Sequence, residues 1–230
     1  HTILRRQRQM CIRDRLFKTQ TPGPMSEQRL TPRITSTARA LWSIYFVLTV
    51  LCIFAYRLAG MSYFDAVSHA FSTVSIGGFS THDLSIGFFD SLSIEIVCIT
   101  FMLLSAMSFA VHYSAIYRKQ VLKYFYDPEL RFFVSLLIVI LGLVCLSLFA
   151  NDIDNPIRSG LFQTVSILTT TGFLTDEYSS WPAYISFMLL VGAFIGACSG
   201  SVGGGIKSWR ILIMSVSYTH LRSHETQYHL

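Results

Sequence analysis

Two ten-residue strips of this chain line up without a gap at a constant offset of 94 residues, Ser72 through Thr81 on Ser166 through Thr175. Each carries hydroxyl side chains followed by glycine and phenylalanine. Each also begins in the last turn of a short segment with apolar residues at helical spacing: Phe64, Val67 and Phe71 in the first, Leu161, Val165 and Leu168 in the second. These short segments, 61–74 and 156–168, alternate with apolar runs at 40–56, 96–117, 132–150 and 178–206. A helix that crosses a bilayer takes roughly 20 residues. The first three runs therefore read as spans, the fourth as too long for one straight span, and the short segments as re-entrant half-helices. Long helix, short helix, glycine turn and long helix occur twice, an internal repeat of roughly 90 residues. An offset of 91 also matches 73–76 to 164–167, but only 94 superposes the Gly-Phe pairs.

The expected fold class is an all-α integral membrane protein of two tandem units, each an outer helix, a re-entrant pore helix and an inner helix. Composition agrees. The 230 residues are 52% hydrophobic and 13% charged, where soluble domains carry about 25% charged residues, and the mean hydropathy is +0.49. The formal charge of +5 is unevenly spread. Arg29, Arg33 and Arg39 precede the first run, Arg118, Lys119, Lys123 and Arg131 fill the connection between units, and Lys207 and Arg210 follow the fourth. These clusters fall on one side, which the positive-inside rule makes cytoplasmic. Asp83, Asp90, Asp152, Asp154, Asp176 and Glu177 fall on the other, with Arg57 and Arg158 as exceptions. Asp83, Asp176 and Glu177 are the candidate acidic outer vestibule, which would concentrate cations.

The chain divides into 1–15, a leader that looks foreign; 16–39, a cytoplasmic segment; 40–117, one pore unit; 118–131, a cytoplasmic linker; 132–215, a second unit; and 216–230, a tail that also looks foreign. Cys52, Cys98, Cys145 and Cys198 read as small packing residues, because no CxxC spacing or nearby histidine makes a metal set. Trp42, Tyr45, Tyr117 and Trp181 read as interfacial anchors, and His69 and His112 as structural.

Inside a membrane, non-helical backbone survives only where it is buried in protein or lines a cavity. A dehydrated cation satisfies free carbonyls, and they replace its water shell. The two strips, Ser75, Ile76, Gly77, Gly78 and Phe79 with Thr169, Thr170, Thr171, Gly172 and Phe173, are thus the candidate ion-binding filter. Gly77, Gly78 and Gly172 permit the needed dihedrals, while Ser75, Thr169, Thr170 and Thr171 add uncharged oxygens. Such neutral ligands suit potassium or sodium. The run containing Gly196, Ser199, Gly200, Ser201, Gly203, Gly204, Gly205 and Lys207 cannot hold a regular helix, since each glycine costs about 1 kcal/mol against alanine. It reads as an irregular, mobile segment below the filter, a candidate gate. A phosphate-binding loop fails here because Ile206 interrupts the motif and no strand precedes it.

These residues resemble the Trk/Ktr/HKT superfamily of potassium transporters, specifically its TrkH-type membrane subunit. The match is carried by 70–83, 169–173 and 196–207, in order and spacing, and extends over about 16–214. The resemblance implies four repeats around one pore, of which this chain holds the second and third. It implies that Gly78 and Gly172 are filter glycines and that carbonyls of Ile76, Gly77, Thr170 and Thr171 hold K+. It implies a gating loop at 196–205, a bacterial inner-membrane location, a homodimer in lipid, and a cytosolic nucleotide-binding regulatory ring subunit of TrkA type as partner. No cofactor is expected beyond K+ as the transported ion, no nucleic acid as partner and no enzymatic activity. Sodium translocation, or a non-conducting membrane scaffold, is the alternative.

Overall fold

The structure, a computed structural model, describes residues 34–153, 155–176 and 181–215. Both foreign-looking ends, Arg29, Arg33, Asp154 and Glu177 lie outside the described residues. Helix α1 (Ile34–Leu58) leads into α2 (Tyr63–Val74), the first strip, a 3₁₀ turn (Ser85–Phe89), α3 (Leu92–Ala106) and α4 (Phe109–Tyr117). A short α5 (Lys123–Tyr126) precedes α6 (Pro128–Ala150), α7 (Pro156–Leu168), the second strip and α8 (Ala183–Ile195). Residues 208–215 are helical again and are called α9. Among the described residues, two helices are long and apolar enough to cross a membrane, Ser36–Leu58 and Pro128–Ala150, and the bent pair α3–α4 is a third if its two pieces count as one span.

Local chemistry sets the ends of these elements. Ser62 caps α2 by accepting the Asp65 N–H at 3.1 Å. Asp127 does the same for α6 through the Leu130 N–H, with Pro128 in the first turn where its missing donor costs nothing. Cys52 and Tyr56 of α1, Ala66, Ala70 and Val74 of α2, and Cys98 and Met102 of α3 form one core. Phe162 and Val165 of α7 and Phe173 of the second strip join that same core, so the second half-helix packs into the first unit. A second core joins α6, α7 and α8. A third gathers Ile76, Ala106, Leu130, Phe133, Ala197 and Cys198 directly behind the first strip.

Run 96–117 is not one helix. It breaks at Met107 and Ser108, both extended, and the two pieces diverge by 94°. A break inside a bilayer strands backbone donors and acceptors, and here the glycine-rich run satisfies them. Cys198 N–H donates to Ala106 O at 3.1 Å, Val202 N–H to Ser105 O at 3.3 Å, and Phe109 N–H to Gly200 O at 3.1 Å. His112 closes the inside of the bend, with Nε2 2.8 Å from Leu104 O and Nδ1 2.6 Å from the Tyr124 hydroxyl. Trp181 is also not an interfacial anchor: it is 5% exposed, packed with Ile185 and Leu189.

The two basic exceptions on the acidic side both have local partners, and one of them is ion-paired. Arg57 lies 4.2 Å over the Tyr63 ring and donates to Met61 O at 2.9 Å. Arg158 grips Glu95 of α3 with two hydrogen bonds, at 2.8 and 3.0 Å, and Asp90 with a third at 2.8 Å.

Candidate functional site

The half-helices α2 and α7 end in the same way. Their terminal residues Ser75 (φ −78°, ψ −5°) and Thr169 (φ −74°, ψ −8°) are right-handed. Ile76 and Thr170 are then left-handed, at φ 55° and 66°, and Gly78 and Gly172 left-handed again, at 68° and 87°. Gly77, read from sequence as a residue with unusual dihedrals, is not among the left-handed ones. Backbone bonds repeat at the offset of 94. Ser75 N–H donates to Phe71 O, Ile76 to Thr73 O and Gly77 to Ser72 O; Thr169 donates to Val165 O, Thr170 to Ile167 O and Thr171 to Ser166 O.

Those bonds orient the carbonyls. In a planar trans peptide the C=O of one residue opposes the N–H of the next. Because Ile76, Gly77, Thr170 and Thr171 turn their N–H groups back onto the half-helix, the carbonyls of Ser75, Ile76, Thr169 and Thr170 point away from it. Among the described residues, no backbone N–H donates to the carbonyls of Ile76, Gly77, Thr170 or Thr171. Both half-helices also direct their C-terminal, partially negative ends at these strips.

The strips meet. A Cβ added to Gly78 would lie 2.0 Å from the Thr171 carbonyl oxygen. The hydroxyls, in contrast, are spent within the protein: Thr169 Oγ1 lies 2.8 Å from Val165 O and 2.8 Å from Thr171 Oγ1, while Thr170 Oγ1 accepts the Gly204 N–H at 2.7 Å. A left-handed β-branched residue is strained, and Ile76 is held there by its side chain, 8% exposed in the third core.

The glycine-rich run lies against both strips. It leaves α8 at Gly196 and returns on itself, with Ile206 N–H donating to Phe194 O at 2.9 Å and Ser208 Oγ donating to Gly196 O at 3.0 Å. Gly196 and Gly205 stand so close that a Cβ on Gly205 would lie 2.6 Å from the Gly196 Cα. Gly203 places its missing Cβ 3.1 Å from Thr169 O and 3.6 Å from the Ile76 side chain. Lys207 Nζ donates to Gly203 O, and Ser201 Oγ to Cys198 O. The run is irregular, as its glycines require, and clipped to its surroundings at several points along its length.

On the acidic side, the same two positions bridge each half-helix to the chain beyond its strip, with roles exchanged. Asp65 lies 3.4 Å from His82 in the first unit, and Ser159 donates to Asp176 at 2.6 Å in the second. Asp65 also accepts hydroxyl bonds from Ser62 and Thr81, both 2.7 Å. Asp83 is exposed and Asp176 is drawn into its bond with Ser159. His69 is fully buried, 2.8 Å from Asp65 O and 2.9 Å from Ser80 Oγ, and stacks on Phe173 of the other strip at 6.1 Å. It thus braces both strips, a role invisible in sequence because Ser80 and Phe173 are its partners only in space. Phe173 is fully buried, whereas its repeat equivalent Phe79 is 81% exposed.

The hydroxyl bonds from Ser62 and then Thr81 hold the Asp65 carboxyl below its ordinary value of 3.8. A depressed folded value gives stability that is complete above the ordinary value and is lost as pH falls through the folded one. Asp65→Asn is expected to flatten the acid limb of thermal unfolding, read between about pH 6 and pH 3. An unchanged limb would remove Asp65 as its source.

A family model described as TrkH, cation transport protein, matches residues 14–228. The chain is 49% identical over 202 residues to the Trk system potassium uptake protein TrkH of Halomonas elongata, covering 86% of this chain and 42% of that protein. It is 42% identical over 212 residues to the Trk system potassium uptake protein TrkG of Escherichia coli K12, covering 90% and 43%. The crystal structure of the potassium transporter TrkH from Vibrio parahaemolyticus superposes with a TM-score of 0.80 at 43% identity, covering 85% of this chain and 43% of that one. The chain therefore spans less than half the length of the curated relatives it matches. With the family model matched across well over half of its residues, the protein belongs to the TrkH family of cation transport proteins.

Proposed function

We propose that the full-length protein takes up potassium across the bacterial inner membrane, and that this chain supplies two quarters of its filter. The observation that carries the reading is the pair of strips whose N–H groups are turned back while their carbonyls are left free, brought into contact at Gly78 and Thr171. Carbonyls of Ile76, Gly77, Thr170 and Thr171 replace the hydration shell of K+, and the half-helix C-termini add favourable potential. Since the threonine hydroxyls are engaged in the protein, the ligands are main-chain oxygens. The loop 196–207, on the cytoplasmic side of the strips, is the barrier that must shift for an ion to leave. The vestibule acids Asp83, Asp176 and Glu177 raise the cation concentration outside.

Two further repeats complete the ring. Phe79 is bare where Phe173 is covered by a preceding unit, and α2 exposes Phe71 where α7 buries Val165. A homodimer, and a nucleotide-binding cytosolic ring docked on the basic face of 118–131, are part of the same reading. The relatives' printed name, a Trk system, supports several components.

The test is complementation of a potassium-uptake-deficient bacterium by the full-length gene. Growth at low potassium is expected, and Gly172→Ser, which forces a side chain onto φ 87°, is expected to abolish it. Growth unaffected by that change would count against the filter. Uptake that follows sodium and ignores potassium would overturn the choice of ion.

A further inference from the structure

We infer that Glu129 is a positioning residue that latches the glycine-rich loop under the filter strips. The inference rests on reading 196–207 as the movable barrier of the pore.

Glu129 stands in the first turn of α6, next to the basic linker, where a carboxylate would ordinarily be solvated. It is instead 1% exposed. One oxygen accepts the N–H of Ser199, 70 residues away in the loop, and the other is buried with no hydrogen-bond partner.

Burying a carboxylate is costly unless its bonds repay the lost hydration, so the position needs a reason. The other ties on the loop supply the contrast. Cys198 to Ala106, Val202 to Ser105 and Gly204 to Thr170 are all neutral hydrogen bonds. A hydrogen bond to an ionised acceptor is roughly twice as strong as a neutral one. In its ionised form Glu129 is thus the strongest acceptor among these ties, and it belongs to the outer helix rather than to the filter.

Its placement also connects the loop to the cytoplasmic surface. Asp127, two residues earlier, caps α6, and Tyr124 of α5 bonds His112 at the bend of the inner helix. A displacement of the 118–127 linker reaches Glu129 through this short rigid path without passing through the strips. Withdrawal of the carboxylate frees Ser199 first.

The loop carries its own reporter. Cys198, adjacent to Ser199, is 1% exposed, and Cys98 in the first core is 0% exposed. The full-length protein in proteoliposomes is treated with a membrane-permeant maleimide, and the two cysteines are followed by peptide mass spectrometry alongside rubidium efflux. Glu129→Gln keeps the shape but removes the charge. It is expected to speed Cys198 labelling and resting efflux about tenfold, equivalent to ~1.4 kcal/mol, with Cys98 still protected. Glu129→Asp, which keeps the charge but shortens its reach, is expected to fall between Gln and wild type. Wild-type labelling of Cys198 in Glu129→Gln, or equal exposure of Cys98, overturns the latch. Should Glu129→Gln not assemble, the aspartate variant decides by the same pair: faster Cys198 with protected Cys98 supports the latch, and any other pattern overturns it. Failure of the wild type to pass any cation would sink the transport reading, while the cysteine pair would still report on the latch.

Discussion

Gly78→Ala in the full-length protein is expected to reduce rubidium uptake by more than about tenfold, the largest effect of any single methyl in this half. Two costs coincide. The new Cβ would sit 2.0 Å from the Thr171 carbonyl oxygen, and both groups are backbone, so neither can rotate away. The residue is also left-handed at φ 68°, which costs an L-residue about 1–2 kcal/mol. Relief requires the two strips to separate, which moves the very oxygens proposed to replace the ion's hydration shell. The control is Gly142→Ala in α6. No atom lies within 4 Å of its added Cβ, and alanine is favoured over glycine in a helix by about 1 kcal/mol. Uptake in that variant should match wild type. Comparable uptake from both variants, at equal amounts of protein in the membrane, would end the claim that the strips must touch.

Arg158→Ala is expected to produce the largest loss of stability, about 2–3 kcal/mol in thermal unfolding of the purified protein. Removing one partner of a buried pair typically costs about 3–5 kcal/mol, because the survivor is left without a counter-charge. Glu95 is that survivor, its side chain 4% exposed. The figure is reduced because the Arg158 side chain itself is 35% exposed and partly screened. Asp90→Ala should cost under about 0.5 kcal/mol, since the Asp90 side chain is 85% exposed. Replacing both Arg158 and Glu95 by leucine should recover part of the loss, because no charge then remains buried. Equal effects from Arg158→Ala and Asp90→Ala would show that the bond between Glu95 and Arg158 does not join the two units.

Much of this was legible before any coordinates. The strip at 75–79 and its copy at 169–173 announced themselves because a repeated backbone turn needs the same small residues at the same places. The left-handed dihedrals and helix-end bonds recur at the offset that aligns the glycines, and not at 91. Other features were hidden for physical reasons. The bend at Met107 and Ser108 contains neither glycine nor proline, since its stranded backbone groups are satisfied by residues 198–202 rather than by a local cap. The unusual dihedrals were expected at Gly77 and Gly78, yet Ile76 is left-handed in place of Gly77, compensated by burial among residues distant in sequence. Glu95 and Glu129 border apolar runs, and their sequence neighbours carry no sign of burial. Only their partners, Arg158 and Ser199, show them to be buried.

The sequence alone determined the membrane class, the two-fold repeat, the short helices and the chemistry of the strips. Each of these depends on residue type and spacing along the chain: apolar length against bilayer thickness, and glycine against backbone conformation. Tertiary structure decided which carbonyls are free, that the hydroxyls are engaged in the protein, where the inner helix breaks, and which carboxylates are buried. These depend on what lies across space, because a polar group in a dry interior must be met by whatever partner the fold brings to it.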